Sequence, residues 1–313
     1  RSGHTRFGFK SRGLGDVYKR QEEGTLRRAD GRQLGFAEYG DPDGLIVLAF
    51  HGVPGARYMF RPTAVPAKRL GLRIIAPDRP GYGLSDPQPG RQLADWLDDV
   101  AALLKHLDID TFSLIGISGG GPFATITAAH FGDRVKALGL VSPMGPVAEV
   151  AGSIAMPAMQ QRFFLDLPSR DRMVRWGTSG AAAMFRMAPG ATYDLAVRTL
   201  PPADRAIMQQ EHIRAHVIAD VQESLTFDGA GSRADLLIFS LPWGVDYACI
   251  TARAILWQGL ADTIVPIGAA LALGRMIPGC RTIELDGEGH FWALREVDEI
   301  LERIRQFATN GRD

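Results

Sequence analysis

Two cysteines in 313 residues, Cys249 and Cys280, are too few for a disulfide framework and lack the close spacing of metal ligands. Isolated thiols fit a reducing compartment, so the expected location is cytoplasmic. Neither charge is in excess: Lys plus Arg and Asp plus Glu each total 35. That balance removes nucleic acid and anionic membrane from the expected partners. No apolar run approaches the length of a membrane span, and the N-terminal stretch has no apolar signal segment. His212 and His216 could share a helix face, but no third ligand or HExxH pattern accompanies them, and no metal site is expected. No motif implies a cofactor. A small molecule and water are the expected partners, and the oligomeric state is left open.

What is present is organised around Thr111 to Pro122, TFSLIGISGGGP. Phe112 to Ile117 is short and mostly apolar, as a strand buried on both faces of a parallel sheet should be. Gly116-Ile117-Ser118-Gly119-Gly120 then matches G-x-S-x-G, where glycines flank a serine in a tight strand-to-helix turn. Pro122 and the residues after it open a helix. Ser118 is a candidate nucleophile. A plain tight connection or a phosphate cradle would use similar residues, although the absence of G-K-[ST] excludes a Walker loop.

Residues 1–22 are basic, glycine-rich and without periodicity, and are set apart as a disordered or non-native tail. Residues 23–143 read as the first part of an α/β core. Thr25–Arg28 and Gln33–Tyr39 flank an Asp30-Gly31 turn and predict two antiparallel edge strands. Leu45–Phe50 and Leu72–Pro77 predict buried strands, each running into a loop rich in glycine and proline, HGVPG and DRPGYGLSD. A helix is predicted over Gln92–His106, another to about Phe131, and a strand over Ala137–Val141. Strands and helices alternate as in a doubly wound, mostly parallel sheet. The alternation stops over 144–250, which reads as an inserted helical cap with helices over Arg170–Met187 and Ala203–Phe227. Its soft apolar residues, among them Met156, Met159, Phe163, Met184 and Phe185, are candidates to line a pocket for an apolar substrate. Residues 251–313 complete the core with strands over Ala254–Gln258 and Arg281–Leu285 and a last helix over Arg295–Phe307.

Ser118, Asp262 and His290 each follow the carboxyl end of a predicted parallel strand, where open α/β sheets bind ligands. A serine hydroxyl needs a base, and the base needs a carboxylate to fix its tautomer. Asp286 and Glu288 lie close enough in sequence to serve His290 instead of Asp262. His51 and the group Arg57, Asp78 and Arg79 are expected to support the loop after Phe50, and His106, His130, His212 and His216 to be surface or packing residues.

The order Ser, Asp, His and the segments HGVPG, DRPGYGLSD, GISGGGP, WQGLADTIVP and DGEGH resemble the α/β-hydrolase superfamily, specifically its cap-bearing members with an HGxP loop. The resemblance runs from about Thr25 to the end and is weakest in the cap. It implies the α/β-hydrolase fold, attack by Ser118, proton transfer by His290 and orientation by Asp262, with the backbone N–H groups of Val53 and Gly119 as the oxyanion hole. Dehalogenases and epoxide hydrolases of the superfamily carry aspartate where this chain has Ser118, and dienelactone hydrolases carry cysteine. Hydrolysis of small or medium apolar carboxylic esters is the leading expectation. Carbon-carbon hydrolases of vinylogous diketones are the alternative, because they carry a tryptophan near the catalytic histidine as Trp292 does here, and Trp292 joins the candidate pocket residues. A ligand receptor on the same fold is a third.

Overall fold

Short runs of Val, Ile and Leu become the strands of one eight-stranded sheet in the computed structural model, which describes residues 22–309. In chain order the elements are β1 (Glu22–Arg27), β2 (Gln33–Gly40), β3 (Leu45–Phe50), α1 (Ala64–Arg69), β4 (Leu72–Pro77), α2 (Trp96–His106), β5 (Phe112–Ile117), α3 (Gly121–Phe131) and β6 (Val135–Val141). Seven helices follow: α4 (Val147–Val150), α5 (Ala158–Gln161), α6 (Asp171–Met187), α7 (Pro189–Arg198), α8 (Pro202–Met208), α9 (Glu211–Ser224) and α10 (Ala230–Phe239). The sheet resumes with β7 (Arg253–Gly259), α11 (Ile267–Met276), β8 (Arg281–Leu285) and α12 (Val297–Thr309). The tail expectation for 1–22 lies outside the described residues, except that Glu22 begins β1.

The strand order is β1-β2-β4-β3-β5-β6-β7-β8. β2 runs antiparallel to both β1 and β4, and every pairing from β4 through β8 is parallel. The expected pair of edge strands is corrected: β1 is an edge, but β2 pairs on both sides. Side chains alternate across the sheet, so Leu48 and Leu114 pack into one core and Val47, Ala49 and Ile115 into the other. On the first face lie α2, α3 and α11, contributing Leu103, Phe123 and Leu273. On the second lie α1 and α12, contributing Ala67, Leu301 and Ile304.

Two helix expectations need correction. The helix expected from Gln92 begins as a tight 3-10 turn at Leu93–Asp95, because Gln92 and Asp95 form a reciprocal cap there, and α2 proper starts at Trp96. The single helix expected over Ala203–Phe227 is two, α8 and α9, which break at Gln209-Gln210. Helices α7 to α9 enclose a small apolar core of their own, including Tyr193, Val197, Ile207, Met208 and Ile213.

Candidate active site

Ser118 sits where β5 ends, at φ 51°, a left-handed backbone conformation that an L-residue holds only when its surroundings enforce it. The surroundings are visible in the glycines. A Cβ on Gly116 would lie 2.7 Å from Ala124 Cβ, one on Gly121 would lie 2.7 Å from Pro143 Cβ, and one on Gly120 would strike the Phe50 carbonyl. Only hydrogen fits at these points. The turn therefore holds the Ser118 side chain at the carboxyl edge of the sheet, just before the N-terminus of α3.

Two neighbouring loops complete the group. His290, after β8, brings Nε2 to 3.0 Å from Ser118 Oγ and Nδ1 to 2.7 Å from Asp262 Oδ2. Asp262, after β7, is held in turn, since its Oδ1 accepts the N–H groups of Ile264 and Val265 and its Oδ2 accepts from Gln258 Nε2. Glu288, one of the sequence alternatives, pairs instead with Arg295 at 2.7 Å. Burial disfavours a charged imidazole at His290, but the Asp262 carboxylate outweighs it and, with help from Asp204, raises the histidine above its ordinary value. Burial likewise pushes Asp262 up, and the His290 contacts with the two N–H groups bring it below the usual carboxylate value.

The loop after β3 supplies the opposite wall. Gly52 packs so closely that its Cβ would lie 3.3 Å from Ser118 Cβ, and a Cβ on Gly119 would lie 2.6 Å from Val53 Cγ2. The N–H of Gly119 falls in the first turn after β5, where helical N–H groups have no partner within the helix. Beneath the loop is a buried ionic lattice. Arg79 donates to the carbonyls of His51 and Gly52 and to Asp235 Oδ2 at 2.8 Å, and Arg91 and Tyr82 also donate to Asp235. Arg57 pairs with Asp78 at 2.8 Å and with Glu223 at 2.6 Å. His51 Nε2 accepts the Arg79 N–H while Nδ1 faces the Gly52 carbonyl at 2.9 Å. Burial and the Arg79 charge push His51 well below the ordinary histidine value, so it is a neutral strut and not a second base.

Two cavities meet at Ser118. One of about 410 Å³ reaches past His290 and Phe291 and is walled by Phe60, Tyr193, Leu200 and Val217. The other, about 290 Å³, lies on the Gly119 side against Phe164, Leu225, Leu236 and Phe239. Val53, Pro54, Phe185, Val221 and Ile264 line both. Of the candidate pocket residues, Phe185 stands at the junction and Phe163 lines the smaller cavity. The other four lie elsewhere. Met159 is 82% exposed and Met184 49% exposed, on sides of α5 and α6 turned from both cavities. Met156 is buried in the main core together with Phe164. Trp292 is buried beside Ile300 and Leu301, with its Nε1 donating to Ser142 Oγ at 3.0 Å. Helical periodicity marks these residues as apolar-face members without saying which face meets the cavity.

Sequence reasoning missed three residues. Asp204, fully buried in α8, accepts the N–H groups of His290 at 3.0 Å and Phe291 at 2.8 Å, so the insert grips the histidine loop. Nothing near Asp204 in sequence points to residues 86 positions away. His216, expected to be a surface or packing residue, lines the larger cavity together with Asp220, and their i, i+4 spacing was the available signal. Among the described residues no group of three His, Cys, Asp or Glu could hold a metal ion, and no helix is long and apolar enough to cross a membrane.

The family model described as alpha/beta hydrolase fold matches residues 46–296. A non-heme chloroperoxidase of Streptomyces lividans is 32% identical over 162 residues, 47% of this chain and 59% of that protein. The chain thus spans little more than half the length of that relative. A 2-hydroxymuconate semialdehyde hydrolase of Pseudomonas putida is 23% identical over 248 residues, 76% of this chain and 78% of its own. Among solved structures, an esterase from Exiguobacterium antarcticum superposes with a TM-score of 0.66 at 18% identity, covering 91% of this chain and 99% of that one, a likeness of fold.

Proposed function

The chain belongs to the alpha/beta hydrolase fold family, and on that premise we propose that it hydrolyses carboxylic esters through an acyl-enzyme on Ser118. One observation carries the reading: the unbroken relay from Ser118 Oγ to His290 Nε2 at 3.0 Å and from His290 Nδ1 to Asp262 Oδ2 at 2.7 Å. With Nδ1 donating to Asp262, Nε2 is the free acceptor for the serine proton.

Ser118 Oγ attacks the ester carbonyl carbon as its proton passes to His290 Nε2. The carbonyl oxygen becomes an oxyanion, for which the N–H groups of Val53 and Gly119 are the proposed donors. The carbon-oxygen bond to the alcohol then breaks, and His290 returns the proton to the departing oxygen. Water repeats the sequence: it gives a proton to His290, adds to the acyl carbon, and displaces Ser118, which takes the proton back. Asp262 keeps its charge throughout and stabilises the imidazolium.

The helices of residues 144–250 act in this reading as a cap that shapes the two cavities, and the apolar linings of both favour small or medium apolar esters. The partners are that ester and water. The free thiols Cys249 and Cys280 fit action in a reducing cytoplasm. The carbon-carbon cleavage reading loses the residue that favoured it, because Trp292 lines neither cavity.

The test is rapid-mixing hydrolysis of short and medium p-nitrophenyl esters by the purified chain beside Ser118→Ala. An acyl burst from the native chain and none from the variant is the expected result. A folded native chain without turnover on any ester, but active on a vinylogous diketone, would replace the ester reading with carbon-carbon cleavage.

A further inference from the structure

The two cavities are not equivalent with respect to the relay. His290 and Phe291 line only the larger one, whereas Gly119 and Met144 line only the smaller. A leaving alcohol oxygen must stand within reach of His290 Nε2 to receive its proton, and the oxyanion must face the Val53 and Gly119 side. These two requirements orient a tetrahedral intermediate on Ser118, and the groups on either side of its carbon then point into different lobes.

Both lobes carry polar side chains, Thr178 and Ser232 in the smaller and Thr63, His216 and Asp220 in the larger, but only the larger has titratable side chains beyond the relay. His216 and Asp220 lie one turn apart on α9 and both face it. Asp220 is 3% exposed, and its Oδ1 accepts the Ala56 N–H at 3.0 Å, which fixes the carboxyl beside the loop after β3. Resting on the ester-hydrolase reading above, we propose that the lobe on the His290 side receives the leaving alcohol, that His216 and Asp220 hydrogen-bond an uncharged polar substituent on that alcohol, and that the smaller lobe holds the acyl chain.

The charge state of the pair agrees with an uncharged ligand group. Burial pushes Asp220 well above the usual carboxylate value, with nearby Asp78 adding to the effect and the Ala56 N–H opposing it, which disfavours a further charge in this lobe. Burial lowers His216 to about 4, against a backbone hydrogen bond to Met59 that acts the other way, leaving a neutral imidazole whose other nitrogen can accept from the substituent. The smaller lobe is walled mainly by Phe, Val and Leu side chains, with Thr178 and Ser232 as its polar members, and suits an aliphatic or aryl acyl group.

The experiment uses the full chain, rapid-quench kinetics that separate acylation from deacylation, three butyrate monoesters (of hexanol, of hexanediol, and of an alcohol ending in carboxylate), and two series of n-alkyl esters that vary the alcohol length and the acyl length separately. The native chain is expected to prefer the hexanediol ester in acylation. Asp220→Leu and His216→Phe should each reduce the hexanediol-to-hexanol ratio by about tenfold, the loss of roughly one good hydrogen bond, whereas Asp220→Asn, which keeps an acceptor for Ala56 and an N–H donor for the substituent, should preserve it. Leu200→Trp should slow acylation increasingly as the alcohol lengthens, and Leu236→Trp should slow deacylation increasingly as the acyl chain lengthens. The reverse pattern for the two tryptophan variants overturns the assignment of lobes. A ratio unchanged in both Asp220→Leu and His216→Phe, or native preference for the carboxylate, overturns the polar recognition. If no ester gives an acyl burst, both this inference and the ester reading fall, whereas a burst with the wrong selectivity removes this inference alone.

Discussion

Gly119 shows how little room the nucleophile turn leaves, since a methyl group there would stand 2.6 Å from Val53 Cγ2 and 3.0 Å from Phe239 Cζ. Gly119→Ala must move Val53, and with it one proposed oxyanion donor, so kcat should fall about a hundredfold, as when one such donor is lost. Steady-state kinetics with circular dichroism check this, and an unfolded variant would make the glycine a folding requirement instead. In the proposed mechanism His290 sets the pH dependence. Its base form is the active one and its pKa is raised, so kcat/KM should fall as pH drops through a value above that of an ordinary histidine. Asp262→Asn removes the opposing charge and leaves burial, which favours neutral imidazole. The acid limb should move to lower pH while kcat falls by roughly a thousandfold or more. A limb that stays in place would assign the ionisation to another group.

Elements buried on both faces were the most legible in sequence, and the reason is physical. β3, β5 and β7 sit inside a parallel sheet, so both faces must be apolar and the run is continuous. The placement of Ser118 and Asp262 was legible for a related reason, because each lies in a loop that must begin where such a run ends, whereas His290 follows the half-exposed edge strand β8. Helices α5 to α9 were less legible. Their apolar residues repeat at helical spacing whether they face a cavity, the core or solvent, which is why Met159 and Met184 were expected inside and lie outside. The role of Asp204 in α8 was hidden for another reason: its carboxylate is committed to backbone N–H groups of a distant loop. Asp204→Ala would leave the His290 and Phe291 N–H groups buried without partners, at about 1–3 kcal/mol in stability. It should also lower kcat roughly tenfold or more by loosening the histidine. Urea unfolding and burst kinetics measured together decide the point, because a stability loss with unchanged kcat would mean that Asp262 alone holds His290.

Across the whole molecule, the insert is fastened to the sheet by buried polar links. Arg57 joins Asp78 of the core to Glu223 of α9, Arg79 and Arg91 join the core loops to Asp235 of α10, and Asp220 joins α9 to Ala56. A freely hinged lid would not place carboxylates as buried as Asp204, Asp220 and Asp235 across its boundary, because each opening would strip them of their partners. Helices α8 to α10 should therefore unfold with the sheet and not before it. Arg79→Met removes a fully buried guanidinium and leaves part of the Asp235 charge and two loop carbonyls without it, which should cost about 3–5 kcal/mol. Against a total of roughly 5–15 kcal/mol that is a large fraction, and the urea midpoint should fall accordingly. Trp176, 84% exposed on α6, reports a different part of the insert. Fluorescence of a chain retaining only that tryptophan, compared with far-ultraviolet circular dichroism, tests whether α6 belongs to the same cooperative unit. Coincident transitions would extend the fastened region to α6. An earlier fluorescence transition would confine it to α8 to α10 and make α6, which walls the smaller cavity through Thr178, Ala181 and Phe185, the element that opens it.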